Sequence, residues 1–272
     1  MTAQGSLRLT TMFDELSAKR AALIAYAMGS YPDRDRSVEV ILTMLDNGAD
    51  AVEIGIPFSD PVMDGPLIRE AGEAALGNGT TPLEVFEVAS EVRGSTDRPL
   101  LLMTYYNIIF RMGSAEFIRR AAQAGVDGIV VPDLPTDEMR ELRQACDGSG
   151  VAIVAFCSLT TTPERIREAD RVATGFLYCV SRLGTTGVRD TIPDTLPGFL
   201  ARVKANAAGP IAAGIGVSTP EQCASIGALA DGVIVGSALV ERVRVSNGDL
   251  SGLAGLVASM SGSLRDASRA EG

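Results

Sequence analysis

Apolar residues recur along this chain in two patterns. Eight short runs are apolar at nearly every position: Ala22–Ala27, Ala51–Ile54, Leu100–Met103, Gly128–Val131, Ala152–Phe156, Phe176–Val180, Ile211–Ala213 and Gly232–Val235. A strand buried on one face alternates apolar and polar side chains, so continuous runs predict parallel strands covered on both faces. Helix-like segments separate the runs, near 37–47, 82–93, 114–124, 136–147, 162–169, 195–205 and 218–227. Ser114, Thr136, Thr162 and Ser218 stand where helix N-caps belong. Ser237–Val245 and 249–266 follow the last run, and residues 8–19 predict an extra amphipathic helix before the first.

Eight strand–helix units in 272 residues predict an α/β fold, a (β/α)8 TIM barrel with an added N-terminal helix. An open doubly wound sheet is the alternative, but eight regular units favour closure. No linker or composition break interrupts residues 1–272, so a single domain is expected, with only the tail "DASRAEG" frayed.

Charge narrows the class. A net charge of −10 and a pI near 4.6 argue against nucleic acid and against anionic membranes, both of which need basic patches. No signal-peptide core opens the chain and no run reaches the ~20 apolar residues of a membrane helix. Cys146, Cys157, Cys179 and Cys223 show no paired spacing and read as reduced thiols of a cytoplasmic protein.

The chain has no histidine, and its only lysines are Lys19 and Lys204. The commonest metal ligand and the commonest general base near neutral pH are therefore absent. Chemistry falls to carboxylates, hydroxyls and backbone dipoles, with no metal or cofactor implied. In a barrel the active site lies at the carboxyl ends of the strands. There, "VEIGIPFSDPVMDGP" sets Glu53 inside an apolar run, where a carboxylate is costly and its proton affinity is raised. Asp64 and Asp60 follow in the loop; each alone reads as a turn cap, but Asp64 close to Glu53 lets two acids divide acid and base roles. The turns "GIG" (Gly214–Gly216) and "GS" (Gly236, Ser237) end the last two strands, where barrels bind phosphate. The loop "SRLGTTGVRDTIPD" after the sixth strand is long enough to be a lid.

These motifs, together with "MTYYN" (103–107), "VPDLP" (131–135), "TTTPERI", "SRLGTTG" (181–187), "GIGVSTPEQ" and "DGVIVGSALV", resemble the tryptophan synthase alpha subunit family over nearly the whole chain. The acidic stretch is specific to that family, whereas the glycine turns are shared with other phosphate-binding barrels. The resemblance implies cleavage of indole-3-glycerol phosphate to indole and glyceraldehyde 3-phosphate. It implies Glu53 as the general acid–base and Asp64 as the acceptor of the indole N–H. Tyr105 and Tyr178 would border the indole. Gly187, Gly216, Gly236 and Ser237 would hold the phosphate, and Thr186 lies in the closing lid, Arg182–Ile192. Asp60, Pro61, Asn107 and Asp133 fall where the family's alpha subunit meets its beta partner in an alpha2-beta2 complex. A retro-aldol through a Schiff base needs a lysine at a strand end, and neither lysine is expected there. Ser30, Leu159 and Thr185 depart from the usual pattern without removing a catalytic group. They leave open a stand-alone lyase that releases free indole. A non-catalytic phosphate-binding barrel is the other alternative, and the intact Glu53 and Asp64 speak against it.

Overall fold

The computed structural model describes residues 4–17, 19–180 and 194–270. Eight parallel strands close into a barrel in chain order: β1 (Ala22–Met28), β2 (Ala51–Gly55), β3 (Leu100–Met103), β4 (Gly128–Val130), β5 (Ala152–Ser158), β6 (Leu177–Val180), β7 (Ile211–Gly214) and β8 (Gly232–Val235). The ring is completed by β1 pairing with β8, Ile24 opposite Ile234. Twelve α-helices are described: α1 (Gln4–Leu16), α2 (Arg34–Asp46), α3 (Pro66–Gly77), α4 (Pro82–Arg93), α5 (Tyr106–Met112), α6 (Ser114–Gln123), α7 (Arg140–Cys146), α8 (Pro163–Val172), α9 (Leu196–Lys204), α10 (Pro220–Gly227), α11 (Ser237–Arg244) and α12 (Ser251–Ala270). A closed (β/α)8 barrel with an N-terminal helix is thus the architecture. Among the described residues no helix is long and apolar enough to cross a membrane.

Two apolar layers divide the strand residues. Leu23, Val52, Ile54, Leu100, Leu102 and Ile129 point outward into the main core beneath the helices. Ile24, Ala51, Leu101, Val130, Val154, Ala212 and Ile234 point inward and fill the lumen. α1 closes the N-terminal end of that lumen with Leu9, Met12 and Phe13, the Phe13 ring 5.7 Å from Phe176.

The same end is fastened by acids that stand just before strands. Asp50, Asp127 and Asp231 accept from the backbone N–H of Leu23, Leu100 and Ile211 on the preceding strand in each case. Asp127 is fully buried and paired with Arg93 (2.5 Å) and Arg8 (3.3 Å), while Arg20 grips Asp50 with two hydrogen bonds. Residues at this end hold the barrel together, which leaves the opposite end for chemistry.

Local differences from the sequence expectations have simple causes. Thr162 does cap its helix, accepting from Arg165 N. Ser114 instead begins α6 and donates to Glu141 at 2.8 Å; Ser218 is displaced by Thr219, which caps α10. Pro135 precedes a 3-10 turn at Thr136–Glu138 that breaks the expected 136–147 helix before α7. α12 carries through the supposedly frayed tail to Ala270. α3 and α5 are additional to one helix per strand, and both border the C-terminal mouth.

Candidate active site

β2 delivers Glu53 to the lumen, side by side with Tyr26 of β1 and Leu101 of β3. Glu53 is 1% exposed, and among the described residues its Oε1 has no hydrogen-bond partner. Burial, and secondarily the charge of Asp64, raise its pKa from 4.5 to about 8. Beyond Gly55 the chain leaves the sheet and turns at Pro61–Asp64, the Asp64 N–H donating to Pro61 O. Gly65 and Pro66 then start α3, proline suiting a first-turn position because its missing N–H would have no helical acceptor.

Asp64 is also buried, which lifts its carboxyl to about 6; the hydroxyl of Tyr105 and the charge of Arg69 oppose that rise. Two neighbouring acids therefore differ in proton affinity, Glu53 holding its proton at neutral pH while Asp64 is mostly ionised. The Tyr105 ring is fixed by stacking on Phe58 (5.2 Å), and its oxygen accepts from Met63 N at 3.1 Å.

A cavity of about 630 Å³, counted out to its open mouth, lies above these groups. Tyr26, Met103, Phe156, Tyr178, Ile68 and Ile234 give it apolar walls, and Asp64 stands in its side. Tyr178 stacks on Phe156 at 4.7 Å. Its ring occupies the space beside Gly214, where a Cβ would come within 2.5 Å, so β7 must end in glycine to admit it. Flat apolar walls with one carboxylate at the side suit a planar aromatic ring bearing one N–H donor.

The far rim consists of Gly214, Gly216, Gly236 and Ser237. Gly216 has φ +84°, a conformation side chains resist, and α11 begins at Ser237 directly after Gly236. α11 thus starts at the cavity's rim, and the unsatisfied N–H groups and positive dipole end of a helix start suit an anion. Thr186, Gly187 and the expected lid, 182–192, lie outside the described residues.

Asp60, Asn107 and Asp133 are exposed at the mouth and Pro61 is half-buried; Asp133 fixes the start of α5 by accepting from Tyr106 N (2.9 Å). The apolar side chains of Val62 and Phe110 stand beside them, 67% and 71% exposed. Lys19 precedes β1, and Lys204 pairs with Asp231 at 3.1 Å, so both lysines sit at the barrel's other end. Among the described residues no three His, Cys, Asp or Glu side chains are grouped to hold a metal ion.

Tyr26, Phe156, Ile68 and Met103 were not singled out in the sequence. Tyr26, Phe156 and Met103 belong to apolar runs covered on both faces, so nothing in the pattern marks which residues face the lumen; Ile68 lies on α3, a helix absent from the sequence expectations.

A family model described as tryptophan synthase alpha chain matches residues 13–267. The tryptophan synthase alpha chain of Carboxydothermus hydrogenoformans is 43% identical over 238 residues, 87% of this chain and 89% of that protein. That of Methanosarcina mazei is 43% identical over 239 residues, 87% of each. Among solved structures, tryptophan synthase from Mycobacterium tuberculosis superposes with a TM-score of 0.88 at 36% identity, covering 95% of this chain and 98% of the other. The chain belongs to the tryptophan synthase alpha chain family, the lyases of tryptophan biosynthesis that cleave indole-3-glycerol phosphate.

Proposed function

We propose that the cleavage runs as carboxylate acid–base chemistry, with Glu53 moving the proton and Asp64 steadying the ring. Glu53, protonated at neutral pH, gives its proton to indole C3. The ring becomes an indolenine cation whose N–H is held by the Asp64 carboxylate. The bond from C3 to the side chain then breaks and its electrons restore the aromatic ring. The side-chain hydroxyl becomes the aldehyde of glyceraldehyde 3-phosphate, and its proton returns to Glu53, closing the cycle. Tyr105 and Tyr178 border the indole. Gly216, Gly236 and Ser237, with Thr186 and Gly187 from the segment outside the described residues, hold the phosphate.

The observation that carries this reading is Glu53 itself: a buried carboxyl facing the lumen, its Oε1 without a hydrogen-bond partner among the described residues, with a pKa near 8. A structural role would have given it an arginine or backbone donors, as Asp127 has at the other end. Purified protein incubated with indole-3-glycerol phosphate should release indole, and Glu53→Gln should not. Equal rates from both would remove Glu53 from the mechanism.

The partner in this reading is a tryptophan synthase beta subunit in an alpha2-beta2 complex. It would dock over Asp60, Pro61, Asn107 and Asp133, where exposed Val62 and Phe110 supply the apolar area a stable interface needs. Added beta subunit should raise the lyase rate in wild type and not in Phe110→Asp. No rate change in wild type would favour an enzyme that releases free indole. Four buried cysteine thiols are in keeping with work in the cytoplasm.

A further inference from the structure

Once Glu53 has released its proton, it is an ion in a site that water does not reach. Among the described residues its Oε1 has no partner, which suits a neutral acid and leaves a carboxylate costly. Protonating C3 creates that carboxylate in the transition state, so a donor used only at that moment would lower the barrier selectively.

Tyr26 has the needed properties. It is Glu53's neighbour across the β1–β2 pairing, on the same lumen face. Its hydroxyl rests against Gly55, two residues beyond Glu53, where a Cβ would come within 2.1 Å of the oxygen. Only a glycine there leaves room for it. At the other end of the side chain, Tyr26 Cβ lies 3.6 Å from where a Gly236 Cβ would stand. The side chain therefore runs from the glycine rim at Gly236 to Gly55 on Glu53's own strand, and it lines the cavity. Its hydroxyl is nearly idle: among the described residues it donates to the Met28 sulfur at 4.0 Å, a weak partner at long range. A buried phenol with so little to donate to, beside a buried carboxyl with an unmet oxygen, is an unexplained pairing in a resting structure.

We propose that Tyr26 is a positioning residue whose hydroxyl donates to the Glu53 carboxylate once the proton has gone to the ring. The inference rests on the acid–base reading of Glu53 above. Other groups facing Glu53 have been assigned elsewhere. Asp64 is like-charged and occupied with the ring, Arg69 acts on Asp64, and Tyr105 is bonded to Asp64. Among the described residues Tyr178 is the rival donor, and the charge of Glu53 acts on its hydroxyl too; it projects from β6, not adjacent to β2, with that hydroxyl beside Gly214.

Tyr26→Phe keeps the ring and removes only the donor. A hydrogen bond to a charged group accounts for about a 10- to 100-fold effect, so kcat should fall by that factor with KM nearly unchanged. The same loss should move the alkaline limb of the pH–rate profile, where Glu53 loses its proton, upward by about one unit or more. A merely structural role for Tyr26 would lower stability and leave that limb in place. Tyr178→Phe, measured alongside, should leave the limb where it is, and Glu53→Gln should abolish the Tyr26→Phe effect. An unmoved limb in Tyr26→Phe, or a shift in Tyr178→Phe instead, overturns the proposal. If Glu53→Gln is itself active, the acid–base reading fails; if it is inactive while Tyr26→Phe matches wild type, this inference alone falls.

Discussion

Replacing Glu53 by glutamine separates a catalytic acid from a structural one through stability as well as rate. In the folded protein the carboxyl keeps its proton up to about pH 8, whereas an ordinary glutamate titrates at 4.5. Between those values the folded state holds one more proton than the unfolded state. Stability therefore falls as pH rises through the window and levels off above pH 8. At about 1.4 kcal/mol per unit, the loss between pH 5 and pH 8.5 approaches 4 kcal/mol for this group alone. Glutamine does not titrate, so Glu53→Gln lacks this loss. Its buried amide costs about 1–3 kcal/mol in unmet hydrogen bonds, but that cost is the same at both pH values and cancels in the difference. Urea unfolding of both proteins at pH 5 and pH 8.5 measures it. The variant should gain several kcal/mol on wild type between pH 5 and pH 8.5. A pH-independent difference, or a variant that loses ground as pH rises, would mean that Glu53 is ionised in a satisfied ion pair and would refute the reasoning.

Three other perturbations probe the surrounding parts. Gly236→Asp fits sterically, since a Cβ there meets Ile68 and Tyr26 at 3.6 Å, and it sets a negative charge at the start of α11; glycerol phosphate binding should weaken at least about tenfold with the fold intact, read by calorimetry and circular dichroism. Gly214→Ala puts a Cβ 2.5 Å from the Tyr178 ring and should raise KM by displacing it, whereas unchanged kinetics would remove Tyr178 from the indole wall. Asp127→Ala leaves Arg93, Arg8 and the Leu100 N–H without their shared acceptor. It should cost about 3 kcal/mol in urea unfolding while the folded fraction keeps its kcat, because the cluster lies at the closed end.

The sequence displays the barrel plainly because each strand must be apolar on both faces, and that demand shows as uninterrupted runs. Glu53 was legible for the same reason: a carboxylate within such a run is an exception that needs a cause. Tyr26 was not, since a phenol inside "ALIAYAM" breaks no pattern and lumen-facing residues look like those under the helices. α3 was missed because Gly65 and Pro66 read as the end of a loop, and because α4 already filled the place of the helix after β2. Asp50, Asp127 and Asp231 carry no mark in the sequence, because the backbone N–H each accepts belongs to a neighbouring strand that only the fold brings alongside.

The account turns on proton transfer by Glu53, and single-turnover indole formation from indole-3-glycerol phosphate measures it without interference from product release. With Asp64 and the cavity unchanged, Glu53→Gln should be slower than wild type by at least about 10²-fold, the usual contribution of a general acid–base. A folded Glu53→Gln enzyme that forms indole at a rate near wild type would contradict the account.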